Sequence, residues 1–508
     1  MSDIVLATLN ARYIHASLGL RYLFANLGTL QDRTIMIERL ANESADELVE
    51  LFLSHEPRVI GLGVYIWNVE KTLEVVRLLR ALRPELIIVL GGPEVSHEVD
   101  EQEITALADY VVTGEGEAVF APLCSALLEG NPPVERVIAG GLPDLSTLEL
   151  PYAYYTEQDV AHRHIYVEAS RGCPFRCEFC LSSLDKAVRA FPMEALMASL
   201  DDLYARGARN FRFVDRTFNL DIATATRLLN FFGERCRPDS DAEPLFVHFE
   251  MVPDRFPEEL REVVKQYPAG TLQFEIGVQT LAPEVSRRIS RPLKVERVDT
   301  NIRWLMENTE VHLHTDLIVG LPGEDLASFG RGFNHLVALK PHEIQVGILK
   351  RLRGTPIRRH TEGHRMVYSP RPPYEIMQTD VIQFAELQRL KRFAKVWEMT
   401  ANRGVFPTAL PLLLAIEQTP FHSVLAFADW LFARDGAVHS IALLRLAEAT
   451  LAWLLEKGAD ETSARDAVVE DYSEGGRRRP SGNLTGKKGA SRVRRSNRAS
   501  RQLRHIDG

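Results

Sequence analysis

Three of the chain's five cysteines, Cys173, Cys177 and Cys180, fall within eight residues and directly follow the strand-like run His164-Ile165-Tyr166-Val167-Glu168. Their spacing, CxxxCxxC, commits that loop to one task. Thiolates are soft ligands for an iron–sulfur cluster or zinc. A structural zinc site is closed by four ligands, and no fourth stands near these three. A cubane held by three thiolates keeps one iron open for a substrate or cofactor. A disulfide framework is excluded, because it needs paired cysteines and an oxidising compartment. Cys124 and Cys236 stand alone and read as small apolar residues.

The rest of the chain gives that loop its setting. At 508 residues the sequence exceeds one hydrophobic core and implies about three domains. From Met1 to about 135, apolar strand-like runs alternate with amphipathic stretches. The strands are Ile4–Leu9, Thr34–Ile37, Val59–Ile66, Leu86–Leu90 and Tyr110–Val112. Helices are expected after Ser17, over Ala45–Leu53 and over Val69–Leu82, the last with Leu73, Val76, Leu79 and Leu82 on its buried face. Such alternation implies a parallel sheet covered on both faces, with ligands at the strands' carboxyl ends. The turns Gly91-Gly92-Pro93 and Gly114-Glu115-Gly116-Glu117 lie at that edge.

Residues 136–163 read as a linker. A second α/β series follows over 164–365, with strands at His164–Glu168, Phe211–Val214, Phe246–Glu250, Leu272–Val278, Val311–Val319 and Glu343–Leu349. This implies a partial (β/α) barrel with its site at the strands' carboxyl ends. Residues 366–471 are mainly helical, and either pack on the barrel or cap its cavity. Residues 472–508 form a basic tail expected to be disordered. Apolar residues are 45% and charged residues 25% of the chain, and no apolar run spans a bilayer. With no basic n-region before Ile4, a cytoplasmic protein is expected. From Gly475 to Gly508 there are eleven Lys/Arg and one acid, so the net charge of −9 leaves −19 on the remainder. The acidic body offers no broad basic surface, and nucleic acid is not an expected partner.

On these residues the chain resembles the radical SAM superfamily, whose hallmark is the cysteine spacing on the loop after the first barrel strand with an aromatic, here Phe179, before the last cysteine. The resemblance implies a [4Fe–4S] cluster on Cys173, Cys177 and Cys180 whose open iron chelates S-adenosylmethionine. One electron then breaks the sulfonium bond and yields a 5′-deoxyadenosyl radical, with Phe179 near the adenine. Asp215-Arg216-Thr217-Phe218-Asn219 stands where the family has a Gly-Gly-Glu-like motif, which makes Asp215 a candidate for the methionyl amine; a merely polar strand end is the other reading. Glu275 and Gln279, in Phe274-Glu275-Ile276-Gly277-Val278-Gln279, match the fourth strand and point to cofactor or substrate. Gly320 and Gly323, in Asp316-Leu317-Ile318-Val319-Gly320-Leu321-Pro322-Gly323-Glu324, match the fifth-strand turn near adenine. Glu250 is either buried near the site or paired with an arginine.

The N-terminal domain resembles the flavodoxin-like cobalamin-binding domain found ahead of many radical SAM domains. This implies cobalamin, with Asn10, Tyr13, Ser17, Gly91, Gly92, Gly114, Glu115 and Gly116 as candidate contacts. A degenerate domain that only covers the barrel is the alternative. His15 lacks the Asp-x-His-x-x-Gly context, so no histidine ligand to cobalt is expected. Methylthiotransferases of similar layout need three more cysteines, which this chain lacks. The implied activity is reductive cleavage of S-adenosylmethionine, with methyl transfer to an unactivated carbon of a small molecule or peptide, and an electron donor such as flavodoxin or ferredoxin. Ring formation or rearrangement, or a cobalamin- or redox-responsive binding protein without turnover, are the alternatives.

Overall fold

The computed structural model describes residues 2–236, 244–474 and 476–486. Six parallel strands form the first sheet: β1 (Ile4–Asn10), β2 (Thr34–Leu40), β3 (Val59–Gly63), β4 (Ile87–Gly91), β5 (Tyr110–Thr113) and β6 (Val137–Ala139), in the order β2-β1-β3-β4-β5-β6. All seven residues of β1 are buried, as a strand covered on both faces requires. Separate apolar clusters on the two faces bury Val5, Ile60 and Ile88 on one side and Leu6, Val59 and Val89 on the other. Ser17 caps the helix Leu18–Ala25 by accepting from Leu20 N at 3.2 Å. β3 ends at Gly63, three residues before the expected Ile66. Along Val69–Leu82 the buried face is Val69, Thr72, Val75, Val76 and Leu79. Leu82, expected inside, is 60% exposed because the stripe that begins at Val69 has rotated past it by the last turn.

The stretch 136–163 is more than a linker. Val137–Ala139 adds the sixth strand, too short for a period to show, and Thr156 and Asp159 form a capping box that opens the helix Glu157–His162.

The second sheet holds β7 (Ile165–Val167), β8 (Asn210–Phe213), β9 (Phe246–Met251), β10 (Leu272–Gln279), β11 (His312–Val319) and β12 (Glu343–Ile348). They run parallel and in sequential order, an open six-stranded partial barrel. Arg351 and Arg353, just beyond β12, pair with Glu98 and Glu94 of the first domain. The first domain therefore closes against that end of the barrel.

Helices Phe384–Trp397, Pro420–Asp435 and Leu443–Glu456 share the barrel's apolar core. Phe333 packs edge-on to Phe393 and Trp397, and Trp397 Nε1 donates to Ile344 O at 2.8 Å. Of the two readings of this region, packing on the barrel is what the helices do. The expectation of disorder from residue 472 needs correction. The helix Glu461–Ser473 runs through it, and in the short helix Gly482–Thr485 Leu484 is fully buried. The rest of the basic tail, 487–508, lies outside the described residues. No helix among the described residues is long and apolar enough to cross a membrane.

Candidate functional site

The cysteine loop leaves β7 through a short antiparallel pairing of Ser170–Arg171 with Arg189–Ala190. Gly172 makes the turn at φ +90, where a Cβ would collide with Ala187 O. Cys173 N donates to Asp185 O at 2.9 Å, and Cys180 N to Cys177 O at 3.1 Å. Glu178, between the last two cysteines, is 2% exposed. Its carboxylate accepts from Ser290 Oγ at 2.7 Å, meets His360 Nε2 at 2.7 Å and pairs with Arg359. Its main chain bonds to Ile289 O and Ile357 N. The loop is thus held by the segments that follow β10 and β12.

The three cysteines are free thiols that line one cavity of about 210 Å³. Among the described residues no group of three or more His, Cys, Asp or Glu is placed to hold one metal ion. Three thiolates around one cavity are the donor set of a cubane that keeps one iron open. Burial pushes the Cys173 thiol up, so its thiolate is favoured only with cationic charge beside it. Arg291 supplies some of that, donating to Cys177 Sγ at 3.2 Å.

Opposite the cysteines stand Glu250, Glu275, Gln279 and Asp316, with Arg216 and Arg291. Burial lifts Glu250 to about 7 against the pull of Arg216 at 2.7 Å. Burial also acts to raise Glu275, but the bond to His248 at 3.1 Å and the charge on His314 outweigh it and hold Glu275 low. Asp316 is raised, first by burial and further by the nearby charge on Glu275. Burial would lower His314, but Asp316 at 3.3 Å lifts it to about 9. The cavity therefore faces the three cysteines with an acidic wall backed by a buried imidazolium.

Phe179, Glu275 and Gln279 meet here as expected. Gln279 has φ +69 and sits where the β10–β11 register shifts, a bulge that re-aims its side chain. Asp215 does not join them. It turns back to accept from Ala169 N at 2.9 Å and Ser170 Oγ at 2.6 Å, so it braces the start of the cysteine loop. Gly320 and Gly323 do not line the cavity either; their positive φ serves a turn packed under Ile376 and against Arg288. Asp316, at the start of that motif, is the residue from β11 that reaches the cavity. The sequence reading missed Asp316, Arg216 and Arg291. Alternation along β11 could have found Asp316, since its partner His314 points the same way. Arg291 carries no local signal.

A second cavity, about 420 Å³, opens at the carboxyl ends of β1, β3, β4 and β5. Ser17, Gly91, Gly92, Gly114, Glu115 and Gly116 line it, over an apolar floor that includes Leu6, Leu62, Val89 and Phe120. Gly92 has φ +105, and a Cβ there would lie 2.5 Å from Val64 O. Glycine is therefore required at the turn that brings this backbone edge to the cavity, an edge low in side chains that fits a large ligand. Two expected contacts lie elsewhere. Asn10 Nδ2 donates to His15 O at 3.0 Å, while Tyr13 accepts from Gln158 Nε2 at 2.7 Å and lies under Arg163. Neither lines the cavity. His15, 2.6 Å from Tyr166 OH, does not line it either.

The two cavities share a wall. Glu168, Arg171 and Leu181, which flank the cysteine loop, line the second cavity. Arg171 binds Glu115, Glu117 and Glu168, each at 2.8 Å, and Arg189 pairs with Glu115 as well. The Glu115 carboxylate is therefore committed to the joint between domains.

Residues 4–123 match the family model of the B12 binding domain, 167–333 that of the radical SAM superfamily, and 362–481 a family described as a protein of unknown function (DUF4080). The cobalamin-dependent radical SAM methyltransferase TokK of Streptomyces tokunonensis is 26% identical over 346 residues, 60% of this chain and 48% of that protein. The chain spans about half the length of the curated relatives it matches first. The fold is similar to that of the radical S-adenosylmethionine methyltransferase TsrM from Kitasatospora setae, at TM-score 0.56 and 20% identity over 70% of this chain and 77% of that one. It is also similar to the cobalamin-dependent S-adenosylmethionine radical enzyme OxsB, at TM-score 0.59 and 13% identity over 93% and 83% of the two chains. The two matched domains imply a [4Fe–4S] cluster, S-adenosylmethionine and cobalamin as cofactors.

Proposed function

From a chain that carries a B12-binding domain followed by a radical SAM domain, we propose an enzyme that reductively cleaves S-adenosylmethionine and transfers a methyl group to an unactivated carbon of a small molecule or peptide. The observation that carries this reading is the shared wall. One loop, 168–181, presents three cysteines to one cavity and Glu168, Arg171 and Leu181 to the other. The similarity to TokK supports the same class of chemistry.

When bound, the cluster and S-adenosylmethionine would supply one-electron bond cleavage, and the corrinoid a methyl carrier. The residues of the chain bind and orient. Cys173, Cys177 and Cys180 would hold the cluster, with Arg291 donating to the Cys177 sulfur. Phe179 would lie against the adenine, and Gln279, Glu275 and Asp316 offer acceptors for amine and hydroxyl donors on the same side. Burial and the neighbouring Glu275 charge raise the Asp316 carboxyl, which limits the negative charge there. The glycine edge of the second cavity would take the corrinoid, and its apolar floor excludes water from the ligand's buried part.

Anaerobically reconstituted protein, given a chemical reductant and S-adenosylmethionine, is expected to release 5′-deoxyadenosine or S-adenosylhomocysteine. Neither product appearing, with the cluster intact by iron content and absorbance, would overturn the reading.

A further inference from the structure

Gly277 lies inside β10 without a positive φ, so its backbone does not call for glycine. The space around it does. A Cβ there would lie 2.6 Å from Gln279 Nε2 and 3.2 Å from Arg291 Nη2. The room that glycine leaves is taken by the Arg291 guanidinium, which donates to Gly277 O through Nη2 and to Cys177 Sγ through Nη1 at 3.2 Å. The turn that delivers Arg291 is fixed by its own bonds. Ser290 stands at φ +55, and its Oγ donates to the buried Glu178. Arg291 N donates to Ser286 O at 2.9 Å, and Ser286 Oγ donates back to Arg291 O. The guanidinium bonds of Arg291 go to a sulfur and a backbone carbonyl, and among the described residues it forms no ion pair. Arg216, in the same cavity, is instead neutralised by Glu250 at 2.7 Å. Glu275 and Asp316 also face this cavity, but they are tied to His248 and His314. The charge of Arg291 reaches Cys173 as well as Cys177.

We propose that Arg291 raises the reduction potential of the cluster held by Cys173, Cys177 and Cys180. The inference rests on the cluster in the function proposed above. In the step concerned, an external one-electron donor loses one electron and the cluster gains it, passing from the 2+ to the 1+ state. No bond forms or breaks, and no proton moves. The added negative charge is shared with the thiolate sulfurs. A cation bonded to one of those sulfurs stabilises the more negative state more than the less negative one, and hydrogen bonds to the sulfurs act in the same direction. Arg291 is partly buried, so its charge is screened less than in water. Because it acts through Cys177, its signature is the potential itself.

The test is a potentiometric titration of the cluster-loaded full chain without S-adenosylmethionine, using dithionite and viologen mediators and read by electron paramagnetic resonance of the reduced cluster. Arg291→Gln removes the charge and is expected to lower the reduction equilibrium at least about tenfold, about 59 mV for one electron. Arg291→Lys keeps the charge and should recover most of that shift. Equal potentials for Arg291→Gln and wild type, both fully loaded by iron and sulfide analysis, would overturn the inference. So would Arg291→Lys falling as far as Arg291→Gln. Arg291→Met is a second variant without the charge. If neither it nor Arg291→Gln holds a cluster, Arg291 serves assembly and the inference falls. An unmoved potential with weaker binding of S-adenosylmethionine in equilibrium dialysis would assign Arg291 to that molecule's carboxylate instead. A wild-type chain that holds no four-iron cluster defeats the proposed function. A wild-type cluster with an unmoved potential in Arg291→Gln defeats this inference alone.

Discussion

Glu178 Oε2 lies 2.7 Å from His360 Nε2, joining the cysteine loop to a segment 182 residues further along the chain. The carboxylate is 2% exposed and also serves Ser290 and Arg359. Glu178→Ala would deprive the partly buried Ser290 and His360 of this acceptor, at a cost of about 1 kcal/mol. Denaturant unfolding should report that loss. Iron and sulfide analysis after reconstitution should show the larger effect, a cluster retained poorly because Cys177 and Cys180 are no longer held.

Single replacements Cys173→Ala, Cys177→Ala and Cys180→Ala are each expected to abolish cluster absorbance while leaving the far-ultraviolet circular dichroism unchanged. Cys124→Ala and Cys236→Ala should keep the full cluster. Both are buried in apolar surroundings, where burial pushes their thiols up, to about 12 and about 11. Loss of the cluster from either would contradict the three-ligand assignment.

Glu324 is 3% exposed; its carboxylate accepts from the Thr280 hydroxyl through Oε1, and Oε2 has no hydrogen-bond partner among the described residues. Burial lifts its carboxyl to about 7. The folded state therefore favours the protonated form: the benefit is complete below about 4.5, and it is lost as pH rises through about 7. Glu324→Gln should flatten the fall in melting temperature between pH 5 and 8. Above pH 8 it should be more stable than wild type, by on the order of 3 kcal/mol. An unchanged pH profile in the variant would refute this.

Gly92→Ala places a Cβ 2.5 Å from Val64 O at a backbone φ of +105. The turn after β4 must shift, which disturbs the glycine edge of the second cavity. Protein reconstituted with hydroxocobalamin and desalted should retain less corrinoid than wild type by absorbance, with the cluster content unchanged. Full corrinoid retention would place the ligand elsewhere.

Much of this protein is legible along the chain because its signals are local. The alternation of buried strands with amphipathic helices needs only a few residues at a time, and it yields both parallel sheets. Strand ends were less legible. Val137–Ala139 is too short to show a period, and β3 stops at Gly63 where an apolar run continues toward Ile66.

The cysteine spacing and the order of the two α/β series were determined by the sequence alone, since a ligand set within eight residues needs no tertiary contact to be recognised. Which carboxylate faces the cluster was decided only by the fold. Asp215 and Asp316 both stand near the carboxyl ends of barrel strands, yet one braces Ala169 and Ser170 while the other reaches the cavity. Side-chain direction at a strand end depends on twist, register and where the last ladder bond falls, none of which is encoded in neighbouring residues. Arg291 on Cys177, and Arg359 and His360 on Glu178, are likewise meetings of distant segments, set by how the barrel brings the segments after β10 and β12 to one loop.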